Sequence, residues 1–300
     1  MSIKSPRTTS GLRGAVIVNA YWRGGDEGAA RIADALGKEG VSVTVLRASE
    51  IDLTVGAEGI EGDLSCDFAV FLDKDDHLAR MLESKGVRLF NRAESIRLSD
   101  DKMLTHIALS ALPQPETISS PLYFAGEEDR AFLAKVEERL GYPVVVKKCF
   151  GAFGREVYLA RDREALSALR ARLLPEPHLY QRYIECGARD IRVITIGGKA
   201  VAAMQRVATA EREFRANVAL GGRGESIPLT PEIASLAESA SRILGLEYAG
   251  VDLLFDGERY LVAEVNSNAH FRKIEEVTGV DVAALYAKYI LSALSQGGQV

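Results

Sequence analysis

Asp252, Glu264 and Asn266 have the residue types and the spacing of a divalent-cation site. They lie in two strand-like runs on either side of a turn signal, so the sequence predicts a β-hairpin in which Asp252 faces Glu264. Side chains alternate along a strand, which puts Asn266 on the face of Glu264. Carboxylates this close repel each other unless a cation or a proton lies between them. Oxygen ligands of this kind suit magnesium, which completes its coordination with water and nucleotide phosphates.

The hairpin prediction includes a register. The runs Tyr248–Phe255 and Tyr260–Val265 flank Asp256-Gly257, and a three-residue connection puts Asp256 opposite Tyr260. The side chains expected on the other face, which points into a core, are those of Val251, Leu253, Ala263 and Val265. For the Asp…Glu-x-Asn pattern taken alone, a solvated hairpin end with scattered acids is the alternative interpretation.

A glycine-rich loop follows a buried strand in the middle of the chain. The strand ends in Lys147-Lys148, and the loop Cys149–Arg155 contains Gly151 and Gly154. Glycines there allow backbone N–H groups to approach phosphate oxygens, and Lys147 adds a positive charge. The loop lacks the GxxxxGK[ST] pattern of a P-loop, and a plain hairpin with edge lysines is the alternative.

A strand end after this loop could contact a planar ring. The extended backbone at Tyr183-Ile184 offers a donor and an acceptor to an adenine edge, although a simple connecting strand fits as well. Asp190 and Arg192 alternate on one face of the next strand and fit an exposed ion pair as well as a site. His270, after the acidic hairpin, is interpreted as structural rather than catalytic.

A polar segment before the last third of the chain is rich in arginine. Arginine favours a bidentate grip on phosphate or carboxylate, while a solvated loop is the usual fate of such runs. The segment contributes Arg206, Arg212, Arg215, Asn217 and Arg223.

Composition narrows the function classes. The 300 residues are 47% hydrophobic and 26% charged, as in an ordinary globular protein, and suffice for two or three modest domains. The net charge of −5 gives no footprint for nucleic acid or an anionic membrane. The three cysteines have no CxxC spacing, so neither a zinc site nor a disulfide framework is expected. The N-terminal stretch lacks the apolar core of a signal peptide, and no apolar run approaches the ~20 residues of a membrane span, so we expect a cytoplasmic protein.

The first third of the chain alternates strand and helix signals. This order predicts a parallel sheet wrapped by helices from about Ala15 to Arg97, with ligands bound near Asn19–Arg23 and Asp73–Asp76. No GxGxxG follows the first strand, which argues against a nicotinamide cofactor. The predicted strands are Ala15–Asn19, Val41–Leu46, Phe68–Leu72 and Val87–Phe90, and the predicted helices are Glu27–Lys38 and Asp76–Ser84.

The rest of the chain predicts two further units after a helix from Ser99 to about Ala111 and a Pro-bearing linker. The β-loop-β-α-β order of the second unit predicts a small antiparallel sheet with helices on one side. The third begins near Asp190 with a hairpin through Gly197-Gly198. The second unit's elements are predicted at Glu127–Leu140, Pro143–Lys148, Glu156–Ala160, Arg163–Leu174 and His178–Ile184; those of the third are Ile191–Ile196, Lys199–Val207, Pro231–Leu244, the acidic hairpin and Val282–Leu294.

The ordered set of these motifs resembles the ATP-grasp superfamily, and specifically its RimK-type glutamate ligase branch. The set comprises Asp-Lys at 101–102, VVVKK with the Gly-Ala-Phe-Gly loop, Gln-Arg-Tyr-Ile-Glu, Asp-Ile-Arg, Phe-Arg-Ala-Asn, GVDLLF and VAEVNSN, from about Ser99 to Tyr289. The resemblance implies an α/β (α+β) fold in which a Rossmann-like parallel-sheet domain precedes two α+β subdomains that clamp ATP. The implied boundaries are a disordered lead-in at 1–13, an N-terminal domain at 14–98, a central subdomain with the glycine lid at 99–186 and a C-terminal subdomain with the metal site at 187–300.

The resemblance also implies residue roles. Two departures from the family pattern accompany them: Arg182 stands where an acid is usual, and Ser-Asn-Ala-His-Phe follows Asn266 where the family usually has Ala-Ser-Pro-Gly. The implied roles are ATP phosphates for Lys102 and Lys147, the lid for Gly151 to Gly154, adenine for Tyr183 and Ile184 beside Arg182, ribose for Asp190 or Glu185, the transferring phosphate for Arg215 and Asn217, and one or two Mg²⁺ or Mn²⁺ ions for Asp252, Glu264 and Asn266.

The implied activity is that of an ATP-dependent carboxylate–amine ligase. A carboxylate attacks the γ-phosphate of ATP, and an amine displaces phosphate from the acyl phosphate to form an amide, with release of ADP and phosphate. The expected partners are a small-molecule, peptide or protein carboxylate and an amino acid such as glutamate, in a homo-oligomer. Arg23, Arg206 and Arg223 are candidates for binding a substrate carboxylate. The alternatives are a kinase-like phosphotransferase, a catalytically silent ATP-binding regulator and a generic α/β ligand-binding protein.

Overall fold

Three larger β-sheets form the framework of the part of the chain that the computed structural model describes, which is residues 11–22, 27–123, 130–151, 154–208 and 223–296. Hydrophobic patterning explains the local structure. In the first helix, for example, Ala29, Ile32 and Leu36 recur at helical spacing and are all buried.

The first sheet is parallel, with strand order β2-β1-β5-β6, as the alternation of strands and helices predicts. A small antiparallel hairpin of β3 and β4 lies between β2 and β5 in the chain. The elements of this region are β1 (Arg13–Val18), α1 (Glu27–Lys38), β2 (Ser42–Arg47), β3 (Thr54–Gly56), β4 (Gly59–Glu61), β5 (Phe68–Leu72), α2 (Asp76–Ser84), β6 (Arg88–Phe90) and α3 (Ala93–Asp100).

The second sheet is antiparallel, with order β7-β10-β8-β9, and α5 and α6 pack on it. The predicted helix from Ser99 to Ala111 is wrong in its start. Asp101 accepts the N–H groups of Met103 and Leu104 and so caps a new helix after α3 has ended. The elements are α4 (Lys102–Ala108), β7 (Thr117–Ser119), α5 (Arg130–Leu140), β8 (Val144–Lys148), β9 (Val157–Ala160), α6 (Arg163–Leu173) and β10 (His178–Arg182).

The third sheet is antiparallel, with order β13-β12-β11-β14-β15. Among the described residues no single helix is long and apolar enough to cross a membrane; α8 and α9 reach that length only as a pair bent by 114°. The elements are β11 (Arg189–Ile196), β12 (Lys199–Val207), β13 (Arg223–Ser226), α7 (Pro231–Ile243), β14 (Tyr248–Phe255), β15 (Tyr260–Asn266), α8 (Arg272–Thr278) and α9 (Val282–Gln296).

The turn between β14 and β15 differs from the predicted one. Phe255, rather than Asp256, pairs with Tyr260, so the connection has four residues. Asp256 shapes this turn, because its Oδ1 accepts the N–H of Glu258 at 3.0 Å and that of Arg259 at 2.9 Å. The predicted pairing of Asp256 with Tyr260 is therefore wrong.

A β-bulge in β15 compensates for the longer turn. Val262 pairs with Leu253 and Glu264 pairs with Asp252, so Ala263 is the extra residue. The predicted pairing of Asp252 with Glu264 is confirmed. Ala263 lines a cleft rather than the core, while the other three residues predicted to face the core are buried there, namely Val251, Leu253 and Val265.

A buried asparagine ties the first sheet to the third. The Nδ2 atom of Asn91, directly after β6, donates to the carbonyl oxygens of Tyr248 at 2.8 Å and Ser267 at 3.0 Å. Its Oδ1 accepts the N–H groups of Glu247 and Tyr248. A fully paired buried amide of this kind fixes where the acidic hairpin lies relative to the parallel sheet.

Candidate functional site

A cleft lies between the second and third sheets and is lined by residues of both. Nine of the residues singled out from the sequence meet in it, although they come from four separate stretches of the chain. The lining residues are Val145, Lys147, Gly154, Val157, Gln181, Arg182, Tyr183, Ile184, Cys186, Arg189, Asp190, Arg206, Asp252, Leu254, Ala263 and Glu264.

The cleft has an apolar part suited to a flat ring. Val145 and Val157 contribute from β8 and β9, and Leu254 and Ala263 contribute from the hairpin. The segment Tyr183-Ile184 directly follows β10 along the same cleft. Aliphatic side chains and a neighbouring backbone edge are what an adenine ring requires.

Asp252 is buried in an ionic network at the wall of the cleft. Arg192 binds it in a bidentate manner, with Nε on Oδ1 and Nη2 on Oδ2, the latter at 2.8 Å. Nη2 of Arg206 lies 2.9 Å from Oδ2. Burial opposes the charged form of Asp252, but the two guanidinium groups overcome it and hold the carboxyl pKa below its usual value.

Asp190 joins the same network through Arg206. Its two carboxylate oxygens accept Nε and Nη2 of Arg206 at 2.6 Å and 2.7 Å. The sequence leaves an exposed pair of Asp190 with Arg192 as one interpretation, and this is wrong. Each acid instead pairs with the arginine directly across the sheet, Asp190 with Arg206 and Asp252 with Arg192.

Glu264 lies beside two lysines. The Nζ of Lys102 is 3.6 Å from its Oε1 and also donates to the carbonyl oxygen of Gly151 at 3.2 Å. Burial opposes the charged form of Glu264, but Lys102 and Lys147 hold its pKa below the usual value. Burial in turn lowers the pKa of Lys147 to about 8, and Lys102 adds to this while Glu264 and Asp252 oppose it.

The third residue of the predicted metal set lies at the end of β15. Asn266 is half-buried, pairs with Gly250 through the backbone and is not among the residues that line the cleft. Within the described ranges no group of three or more His, Cys, Asp or Glu side chains is arranged to hold a metal ion. The predicted set thus has two carboxylates side by side and depends on an amide for its third ligand.

The glycine loop lies over the lysines. A smaller cavity is bounded by Lys102, Glu264, Glu156 and the two loop glycines. Gly151 and Gly154 have φ angles of 152° and 70°, which favour glycine, and a Cβ on Gly151 would lie 2.9 Å from Glu156 Oε2. The loop residues 152–153 lie outside the described part of the chain.

Arg182 lines the cleft, but its guanidinium is bound by partners that do not line it. Its Nη2 donates to Glu116 Oε2 at 2.6 Å and to the carbonyl oxygen of Arg139 at 2.9 Å, and its Nη1 donates to that of Leu140 at 3.3 Å. A cation at the carboxyl end of α5 is favourably placed. The departure from the family pattern at this position is therefore accommodated outside the site.

The remaining predicted residues divide into two groups. Glu185 is exposed, accepts the N–H of Gly187 and is not among the lining residues, whereas Asp190 is one of them. Arg223 is exposed and pairs with Glu225 at 2.8 Å. Arg23, Arg212, Arg215 and Asn217 lie outside the described residues, so their predicted roles stay predictions.

A buried network of hydrogen-bonded side chains next to the cleft was not predicted from the sequence. Nδ1 of His106 lies 2.6 Å from Gln114 Oε1, and Nε2 of His106 accepts from Gln181 Nε2 at 3.0 Å. Gln181 also donates to Thr117 Oγ1 and lines the cleft. Burial, reinforced by Lys147, lowers the pKa of His106 to about 4, so the ring is neutral. The sequence signal for this hydrogen-bonded network is Gln181, the first residue of the Gln-Arg-Tyr-Ile-Glu motif.

The carboxyl ends of β1 and β5, where the sequence predicts a bound ligand, meet the loop that follows β15. Asn19 donates to Asp73 Oδ1 at 2.8 Å, and Asn268 donates to the carbonyl oxygen of Leu72 at 2.7 Å. The rings of Trp22 and His270 lie 5.3 Å apart. The last two contacts join the first sheet and the segment after β1 to the loop that follows the acidic hairpin.

Comparison with known sequences supports one family. Residues 99–290 match the model of the RimK-like ATP-grasp domain. N-acetylaspartylglutamate synthase A of Homo sapiens is 37% identical over 227 residues, which are 74% of this chain and 57% of that protein. Beta-citrylglutamate synthase B of Homo sapiens is 36% identical over 230 residues, which are 75% of this chain and 58% of that protein. The chain thus spans somewhat more than half the length of these curated relatives.

Comparison with solved structures gives the same fold. The RimK domain ATP-grasp protein from Sphaerobacter thermophilus superposes with a TM-score of 0.72 at 22% identity, over 93% of this chain and 99% of that one. The ATP-grasp ligase PsnB, complexed with a phosphomimetic variant of its minimal precursor, Mg and ADP, gives a TM-score of 0.68 at 17% identity, over 95% and 99% of the two chains.

Proposed function

Because the chain belongs to the RimK-like ATP-grasp family, we propose that it is an ATP-dependent ligase that joins a carboxylate to an amine and releases ADP and phosphate. One observation carries the proposal. Lys147 and the pair Asp252–Glu264 line the cleft beside Tyr183-Ile184, and Lys102 and the glycine loop bound the smaller cavity that adjoins it at Gly154 and Glu264. That is the set of groups that binding a nucleotide and its metal requires.

In this proposal ATP occupies the cleft with its adenine in the apolar part. Tyr183 and Ile184 would contact the adenine through the backbone, and Asp190 would bind the ribose. Lys102 and Lys147 would bind the phosphates beneath the glycine loop. Arg215 and Asn217 would bind the transferring phosphate.

Asp252, Glu264 and Asn266 would hold Mg²⁺ or Mn²⁺. The observation that supports the fit is that Asp252 and Glu264 are direct cross-strand partners and line the same cleft. Carboxylate and amide oxygens are suitable ligands for either ion. When bound, the ions would neutralise charge on the phosphates during transfer. The PsnB structure with Mg and ADP shows that a protein of this fold binds this combination.

The residues fit a mechanism without a covalent protein intermediate. A carboxylate attacks the γ-phosphate, and the bond from that phosphorus to the ADP oxygen breaks. The amine then attacks the acyl carbon, phosphate leaves and the ammonium proton is lost. Phosphoryl transfer of this kind depends on positioning and on charge, which Lys102 and Lys147 supply.

The names of the relatives suggest the substrate class. Both human relatives are synthases of a product that ends in glutamate. We therefore infer that the amine is an amino acid such as glutamate and that the carboxylate belongs to a small molecule, a peptide or a protein.

The test is a screen of amino acids against carboxylates for ADP release, with mass spectrometry of the product. We expect a product whose mass is that of the two substrates minus one water, and a hydroxamate when hydroxylamine replaces the amine. ADP release with a phosphorylated product and no hydroxamate would instead favour a phosphotransferase. Lys147→Met is the inactive variant, and Lys148→Met, one residue along and paired with Glu176 at 3.6 Å, is its control.

A further inference from the structure

The guanidinium of Arg206 contacts two carboxylates that have different proposed roles in the cleft. Its Nη2 atom lies 2.7 Å from Asp190 Oδ2 and 2.9 Å from Asp252 Oδ2. Asp190 is the candidate ribose ligand and Asp252 is a candidate metal ligand. The arginine is only 5% exposed, so water screens these contacts weakly.

Each carboxylate of the candidate metal pair already lies beside a cation. Asp252 contacts Arg192 and Arg206, and Glu264 has Lys102 at 3.6 Å. A divalent ion that binds without an anion must bind these carboxylate oxygens next to arginine and lysine side chains, which are also positively charged. Repulsion between like charges a few ångströms apart changes affinity by about tenfold or more at such sites. A polyphosphate brings the negative charge that offsets this repulsion.

We propose that Arg206 is a positioning residue that makes metal binding depend on nucleotide binding, so that the cleft takes a divalent ion together with the nucleotide rather than alone. This inference rests on the proposed function. The proposed role differs from a purely structural role of the ion network in the sign of the change in metal affinity when Arg206 is neutralised. Neutralising Arg206 should strengthen the binding of metal alone and weaken the binding of nucleotide alone, because the local charge becomes more negative.

The coupling is reciprocal. If ADP raises the affinity for the metal by some factor, the metal raises the affinity for ADP by the same factor. We expect this factor to be large in the unmodified chain and smaller by about tenfold when residue 206 is neutral. Four dissociation constants measure it: Mn²⁺ with and without ADP, and ADP with and without Mn²⁺.

The variants are chosen to separate charge from shape. Arg206→Gln removes the charge but keeps a donor for Asp190, and Arg206→Lys keeps the charge but loses the planar fork. Lys199→Met is the control, since Lys199 begins the same strand β12 with an exposed side chain that pairs with Glu238. Free Mn²⁺ is followed by electron paramagnetic resonance and ADP by calorimetry, after urea unfolding has shown that each variant is folded.

We expect Arg206→Gln to bind Mn²⁺ alone about tenfold more tightly and ADP alone more weakly, and Arg206→Lys and Lys199→Met to keep the metal affinity within about threefold. The proposal is overturned if Arg206→Gln weakens both ligands or leaves the coupling unchanged, or if Arg206→Lys behaves like Arg206→Gln. Should Arg206→Gln fail to fold, Arg206→Lys decides, because any large gain in its affinity for Mn²⁺ alone contradicts the charge argument. An unmodified protein that binds neither ADP nor Mn²⁺·ADP would instead overturn the ligase proposal itself.

Discussion

Asp252 and Glu264 are cross-strand partners that line one cleft, yet they are held there by different means. The side chain of Asp252 is 8% exposed and bound by two arginines, whereas that of Glu264 is 31% exposed and has a lysine 3.6 Å away. Two carboxylates proposed for the same ion therefore contribute unequally to the stability of the fold. That difference makes their roles experimentally separable.

Glu264→Gln should remove metal-dependent turnover while leaving the fold nearly intact. We expect the turnover number to fall by about 100-fold or more, since the side chain proposed to hold the metal ion loses its charge. The free energy of unfolding should change by less than about 1 kcal/mol, because the side chain of Glu264 is 31% exposed and its contact with Lys102 is long, at 3.6 Å. Urea unfolding and ADP release measure the two effects. Asp256→Asn, in the turn of the same hairpin, is the control that should keep activity.

Asp252→Asn should cost both activity and stability. It leaves Arg192 and Arg206 without a full counter-charge in a buried setting, for which a loss of about 2–4 kcal/mol in the free energy of unfolding is typical. The urea midpoint gives the value. A loss as small as that of Glu264→Gln would contradict the assignment of Asp252 to a buried ionic network.

The sequence predicts those parts of this architecture that depend on local patterns. The apolar period of α1 gives its bounds of Glu27–Lys38, and the β-branched runs give the strands of the first sheet. Cross-strand alternation also brings Asp252 opposite Glu264. The same local reasoning fails for the turn itself. A three-residue connection without a bulge and a four-residue connection with a bulge both place Asp252 opposite Glu264, so side-chain alternation does not distinguish them.

The ionic network could not be predicted in the same way. Arg192 and Asp252 are 60 residues apart, and Arg206 meets both acids only because β12, β11 and β14 are adjacent in the sheet. Sequence spacing pairs Asp190 with Arg192 on one strand face, whereas the fold pairs each with a residue on the neighbouring strand. Pairings between strands depend on sheet order, which these motifs do not encode.

Arg182→Met should affect stability rather than nucleotide binding. Its guanidinium binds Glu116 and the carboxyl end of α5 outside the cleft, so we expect a loss of about 1–2 kcal/mol in the free energy of unfolding. The dissociation constant for ADP should stay within about twofold of the unmodified value, since the contacts proposed for the adenine are made by the backbone. Calorimetry checks the affinity. A change of tenfold or more would mean that the side chain itself contacts the ligand.

Burial of His106 should give the protein an acid-sensitive stability. Its pKa is lowered to about 4 from the usual 6.5, so between these pH values the unfolded chain binds the proton and the folded chain does not. Stability therefore falls as the pH drops from 6.5 to 4, and His106→Gln should remove this part of the slope. Urea midpoints of both proteins across that range measure the difference. Parallel curves would show that the ring is protonated or exposed in the folded state.

Substitution of Lys147 should have opposite effects on nucleotide binding and on the stability of the fold. Its pKa is lowered to about 8 from 10.5, so the folded state holds the proton less tightly than the unfolded state does. The charged form thus carries a penalty that is fully present below pH 8 and is relieved as the pH rises toward 10.5. Lys147→Met should raise the free energy of unfolding of the nucleotide-free protein at pH 7 by about 1–3 kcal/mol.

The same substitution should weaken nucleotide binding, because a phosphate ligand is lost. In the unmodified protein the affinity for ADP should fall as the pH rises through about 8, where Lys147 loses its proton, and this dependence should disappear in Lys147→Met. Calorimetric titrations from pH 7 to 9 measure it, with Lys148→Met expected to behave like the unmodified protein. If Lys147→Met is less stable than the unmodified protein and binds ADP equally well, Lys147 stabilises the sheet and does not bind the nucleotide. A lysine that binds phosphate should instead destabilise the empty cleft through its buried charge and increase the affinity for ADP.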